Sequence, residues 1–205
     1  MGTGEKLYLY PLWLRLWHGV NALCIIALII TGISLHYTGR SVFFLDFKSS
    51  VTVHNFAGLI LSISYFIFVT GNLLTNNGKY YRVKVQGLDK RLKKQIQYYV
   101  SGMFKGEETP FPVSEKRKFN PLQKYAYIFV MYVFFPLLII TGIGLLFPEV
   151  IMEQVFSVSG ILLTAVLHGI LGFFIFVFLL VHVYVASMGK SPGENYKSII
   201  TGWHS

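Results

Sequence analysis

Four stretches of this chain are apolar and carry almost no charge: 12–37, 51–75, 122–147 and 161–188. Each exceeds the ~20 residues a helix needs to cross the hydrocarbon core of a bilayer. The pattern predicts an all-α membrane protein, a four-transmembrane-helix bundle forming one integral membrane domain over residues 1–205. A long loop, 76–121, separates the second helix from the third. The first stretch is too long for a cleaved signal peptide. It carries Arg15 and His18 early and has no small-residue cleavage site.

Finer features sit on this frame. Residues 90–104 (KRLKKQIQYYVSGMF) interleave bases with aromatics and predict an amphipathic helix lying on the membrane surface. Residues 107–113 (EETPFPV) read as an irregular linker. Pro136 interrupts the third helix and predicts a kink there. The stretch 190–196 (KSPGENY) reads as a turn leading into a short loose end.

Composition agrees: 54% of the 205 residues are apolar and only 13% charged, far from an average soluble domain. The net charge is +9, and its placement carries more information than its size. Residues 76–124 hold 12 of the 18 Lys and Arg, whereas the loop after the first helix has only Arg40 and Lys48. The loop after the third helix has no base, and it carries Glu149 and Glu153. With both termini on the side of the long loop, the bases divide 16 against 2. The positive-inside rule then makes that loop and both termini cytoplasmic in a multi-pass protein. Lipid headgroups account for the basic loop, and no nucleic-acid partner is expected.

The candidate chemistry lies in the histidines. His168 and His182 sit 14 residues apart in one apolar helix. At ~100° and ~1.5 Å per residue, the second ring returns to within about 40° of the first, about 21 Å along the axis. Intramembrane histidines are functional candidates by default. His18 falls at the depth of His182 near the cytoplasmic side, and His54 at the depth of His168 near the outer side. Each pair could offer imidazole nitrogens to both faces of a macrocycle, which predicts two b-type haems with bis-histidine ligation. Such ligation leaves no open iron position and suits electron transfer. Helix capping or hydrogen bonding accounts for any one of these histidines alone; paired depths and the 14-residue repeat favour ligation. Zinc lacks third and fourth ligands at matching depths. No Cys-x-x-Cys-His occurs, so covalent haem is excluded, and Cys24 reads as a small core residue. His36 lies at the outer interface, a weaker substitute for His54, and His204 reads as solvated.

A weak repeat supports the pairing. Ile29-Ile30-Thr31-Gly32-Ile33 in the first helix matches Ile139-Ile140-Thr141-Gly142-Ile143 in the third. His54 and Gly58 in the second match His168 and Gly172 in the fourth. In this alignment His18 corresponds to Ile128. Gly58 and Gly172 fall one turn past an outer histidine, where a missing side chain admits a macrocycle. Gly32 lies 14 residues beyond His18 and faces the outer level. Arg15, three residues before His18, is placed to pair a haem propionate or to anchor at the interface.

These residues resemble the prokaryotic di-haem cytochrome b family, which includes membrane subunits of formate dehydrogenase, nickel–iron hydrogenases and thiosulfate reductase. The resemblance covers nearly the whole chain. Arg15-x-x-His18 and His168-x13-His182 look like that family's ligand motifs. The segment Lys118-Phe119-Asn120-Pro121-Leu122-Gln123-Lys124 is similar to its Asn-x-Gly-Gln-Lys segment, with Leu122 where the family shows glycine. The resemblance implies an inner haem on His18 and His182, an outer haem on His54 and His168, and Asn120 and Gln123 beside a quinone. The structural alternative for Asn120 is a helix N-cap ahead of Pro121. The implied function is a membrane electron-transfer subunit in the cytoplasmic membrane of a bacterium or archaeon. It exchanges electrons between the quinone pool and an outer redox partner carrying iron–sulfur clusters or c-type haems. The alternatives are a stand-alone cytochrome b561-type quinone oxidoreductase acting on a small molecule such as superoxide, and a non-redox transporter or anchor.

Overall fold

The computed structural model describes residues 6–37, 45–188 and 193–204. Arg40 and Lys190, counted in the charge balance above, lie outside them.

Four apolar helical spans make the bundle, as the hydropathy pattern predicts. The first is α1, Leu12–His36, which follows Pro11. The second is α2, Phe47–Leu74, and it starts four residues before the apolar run does. Asp46 causes the earlier start: its carboxylate accepts from the Ser49 amide at 3.0 Å, so polar Lys48, Ser49 and Ser50 join the first turn. A short helix, α3 (Leu88–Gln97), continues through a π turn at Tyr98–Gly102 and a 3-10 turn at Met103–Lys105. Helical turns thus cover the stretch 90–104, where the sequence predicts a helix.

The third span divides into α4 (Pro121–Phe129), a π turn (Val130–Phe134) and α5 (Phe135–Leu146). Pro136 lacks an amide proton and crowds the preceding turn, and the wider π turn just before it relieves both. A short hairpin, β2 (Gln154–Val155) with β3 (Val158–Ser159), then leads into α6, Gly160–Ser187. Its two turn residues, Phe156 and Ser157, both take positive φ, as the tightest hairpin turn demands.

Of the stretch 190–196, read as a turn and a loose end, residues 190–192 lie outside the described residues; over 193–204 the chain is folded rather than loose. α7 (Glu194–Thr201) packs back on the bundle, and β4 (Trp203–His204) pairs antiparallel with β1 (Leu7–Tyr8). Asn195 donates to the carbonyls of Ala186 and Met188 at 3.2 and 3.0 Å, and Tyr196 to that of Val183 at 2.8 Å. Ala186 lies in the last turn of α6 and Met188 just past it, where carbonyls lack the next turn's amides, so the Asn195 side-chain amide caps the end of the helix. The tail has too few apolar residues to reveal this in a hydropathy trace. His204, expected to be solvated, is half-buried with Nδ1 3.3 Å from the Ser198 hydroxyl.

Bundle polarity is inverted relative to a soluble protein. Asn21, Thr31, Ser34, Ser50, Ser64 and Thr141 are buried, while Leu23, Phe56, Phe66, Ile140 and Phe173 point outward. Lipid solvates the apolar side chains as well as a protein core does, so small and hydrogen-bonding residues occupy the contacts. The apolar core is a mid-depth cluster of Cys24, Leu61, Phe68, Val130, Met131, Phe135 and Ile175. Ile175 lies seven residues from both His168 and His182, so this cluster separates the two histidine levels.

Candidate functional site

The helices bring the four intramembrane histidines together in the expected pairs. His18 of α1 faces His182 of α6, with ring centres 6.1 Å apart and planes at 48°. His54 of α2 faces His168 of α6 at 6.2 Å and 66°. A metal–imidazole bond is about 2 Å, so two rings sharing one metal have centres about 6 Å apart. Both pairs match that spacing. The donor set, two neutral nitrogens per level within an apolar bundle, suits an iron porphyrin. His36, on the exposed face near the end of α1, packs against Tyr37 instead.

Each outer histidine is held by the repeated Thr-Gly pair. Thr31 Oγ1 lies 2.9 Å from His54 Nδ1, and Thr141 Oγ1 lies 2.8 Å from His168 Nδ1. A Cβ on Gly32 would stand 3.5 Å from His54 Cε1, and one on Gly142 3.3 Å from His168 Cε1. A methyl group would be crowded at Gly142 and only in ordinary contact at Gly32. The inner level is built differently. The Tyr127 hydroxyl of α4 lies 3.2 Å from His182 Nδ1, and Phe178 stacks on the His182 ring at 5.6 Å.

Polar groups without a protein partner mark both levels. Among the described residues, the buried Nε of Arg15 and the buried Oγ of Ser50 accept or donate no hydrogen bond. Arg15 is one turn before His18, and Ser50 one turn before His54. A buried polar atom left unpaired costs about 1–3 kcal/mol, so both suit the carboxylates of a bound porphyrin. Arg15 also donates through Nη2 to the carbonyl of Ile200, at the end of α7. A Cβ on Gly172 would meet nothing within 4 Å, and one on Gly58 only Leu28 at 3.9 Å.

The Asn120 segment forms a full capping box. Asn120 Oδ1 accepts from the Gln123 amide at 2.9 Å, and Gln123 Oε1 accepts from the Asn120 amide at 3.2 Å. Asn120 Nδ2 donates to the Tyr99 hydroxyl at 2.7 Å, so α3 is tied to the start of α4. Leu122 is exposed. Burial raises the Tyr99 pKa, so the phenol keeps its proton. Nearby, Lys118 is 3% exposed. Its Nζ donates to Asn77 Oδ1 at 3.3 Å and lies 4.1 Å from the centre of the Tyr10 ring. Burial pulls the Lys118 pKa down to about 7.

No local pattern in the sequence marks Thr31, Thr141, Tyr127, Tyr99 or Lys118 for these roles. The Thr-Gly repeat carries a signal, but the partner of each hydroxyl is visible only when the helices are packed.

A helical membrane bundle with histidine pairs at two depths defines a membrane cytochrome b. The chain belongs to the prokaryotic cytochrome b561 family, whose model matches residues 9–202. Members bind b-type haem and transfer electrons within the membrane. The chain is 39% identical over 201 residues to "Putative cytochrome YdhU" of Escherichia coli strain K12, across 98% of this chain and 76% of that protein.

Proposed function

We propose that this chain holds two b haems and passes electrons between quinone and a redox partner outside the membrane. One observation carries the reading: two histidine pairs with ring centres 6.1 and 6.2 Å apart, at opposite depths of one bundle. His18 and His182 hold the inner haem, and His54 and His168 the outer one. Bound there, each haem supplies a one-electron iron couple with both axial positions filled. Arg15 and Ser50 each offer a polar atom to a propionate.

The end carrying the long loop and both chain termini is cytoplasmic, because 12 of 18 bases lie between residues 76 and 124. The quinone site lies at that end, around Asn120 and Gln123. Because the capping box uses the Asn120 and Gln123 oxygens, the donors left for a quinone oxygen are Gln123 Nε2, the second proton of Asn120 Nδ2 and the Tyr99 hydroxyl. The loops at the other end, including the 154–159 hairpin, face the redox partner. That partner brings the substrate chemistry.

The test is the visible spectrum of the purified, oxidised chain during addition of a reduced menaquinone analogue. Growth of b-type bands, at an amplitude of two haems per chain, is expected. One haem per chain would remove a ligand pair from the reading. Two haems that stay oxidised, despite potentials above that of the quinol, would remove the quinone site.

A further inference from the structure

We infer that Thr31 and Thr141 are positioning residues that set the tautomer of the outer histidines and lower the reduction potential of the outer haem. The inference rests on the proposed ligation by His54 and His168, and it concerns what distinguishes the two haems.

A threonine hydroxyl has one proton. Thr31 Oγ1 lies 2.7 Å from the Ala27 carbonyl, and Thr141 Oγ1 lies 2.7 Å from the Leu137 carbonyl. Two oxygens that close require a proton between them, so each hydroxyl donates back to its own helix. Its contact with the histidine must then run the other way. Nδ1–H donates to Oγ1 at both sites, at 2.9 and 2.8 Å. Both imidazoles therefore carry their proton on Nδ1 and leave the Nε2 lone pair for a metal.

Both threonines are buried, Thr31 to 1% exposure, so the hydroxyl competes with little water for this bond. Gly32 and Gly142 lie beside the same rings: a Cβ there would stand 3.5 and 3.3 Å from Cε1. The hydroxyl of each Thr-Gly pair thus holds the ring that lies beside the glycine. An acceptor on Nδ1–H makes the imidazole a stronger donor, which favours the ferric state. Among the described residues the inner level has no such pair: its contact is a phenol, Tyr127, on one ring.

The test uses Thr31→Val and Thr141→Val, which keep the shape and remove the acceptor, with Thr31→Ser and Thr141→Ser as rescue. Redox titration and low-temperature EPR are recorded on the purified haem-loaded chain. His168→Ala identifies the outer signal by its loss; if that variant keeps both signals, the proposed ligation fails instead. Each valine variant is expected to shift the outer ferric–ferrous equilibrium roughly tenfold toward ferrous, ~59 mV for a one-electron couple. The inner signal stays in place, and the serine variants return the outer one. Loss of the outer haem in the valine variants alone, with serine retaining it, also supports the inference. Valine variants with wild-type outer potential and EPR, or serine variants that behave as the valine ones do, overturn it.

Discussion

The Tyr127 hydroxyl and His182 Nδ1 lie 3.2 Å apart across the contact between α4 and α6. Tyr127 also packs edge-on against Phe119, 4.9 Å between centres, and Phe178, at 6.0 Å. The phenol therefore links the start of the third span to the inner histidine. Tyr127→Phe keeps these ring contacts and removes one hydrogen bond, worth about 1 kcal/mol. The expected result is a folded chain with both haems and a changed EPR signal for the inner one only. A variant spectrum identical to wild type would show that the phenol leaves the ligand unaffected.

Gly32 and Gly142 occupy matching places but leave different room. A methyl group would approach His168 Cε1 to 3.3 Å at Gly142, against 3.5 Å from His54 Cε1 at Gly32. Gly142→Ala should therefore displace its histidine more than Gly32→Ala does. Outer-haem occupancy, measured by pyridine haemochrome, should drop several-fold in Gly142→Ala and little in Gly32→Ala. Equal losses would mean that the two sites yield alike.

Lys118 makes stability depend on pH. Its folded pKa, lowered to about 7 by burial, lies below the ordinary lysine value of 10.5. Between these values the unfolded chain binds more protons than the folded one, so stability rises with pH across that window. Below about pH 7 both states are charged, and the full burial penalty remains. The contribution is on the order of 3 kcal/mol, since the Tyr10 ring face offsets part of the penalty. Thermal unfolding in detergent should give a higher midpoint at pH 10 than at pH 7. Lys118→Met should lose that slope, and a slope retained in the variant would place its source elsewhere.

Arg15 joins the first helix to the last through the Ile200 carbonyl. Arg15→Gln removes the charge and the reach, at a cost of roughly 1–3 kcal/mol. The Asn195 and Tyr196 bonds and the pairing of β4 with β1 still hold the tail to the bundle, so the loss should be local. Hydrogen exchange over 193–204 should speed up well beyond that of α1. Uniform acceleration across the bundle would instead mark Arg15 as part of the global core.

Much of this protein was legible in one dimension. A bilayer demands some twenty apolar residues per span, so hydropathy alone located four helices. Helical geometry relates residue number to depth, so 14 residues placed His168 and His182 on one face at two levels. His18 and His54 were assigned partners by depth, and helix packing set those pairs 6.1 and 6.2 Å apart. Local pattern also foretold the Asn120 cap ahead of Pro121, because both groups of the box lie within one turn.

Tertiary structure decided what depends on contacts between distant segments. The Thr31–His54 and Thr141–His168 bonds join residues 23 and 27 apart, and no period within one helix encodes them. The tail is held by Asn195 at the end of α6 and by the guanidinium of Arg15, contacts that its own composition does not reveal. Depth follows from counting along an axis; which side chain meets which ring follows only from how the helices turn toward one another.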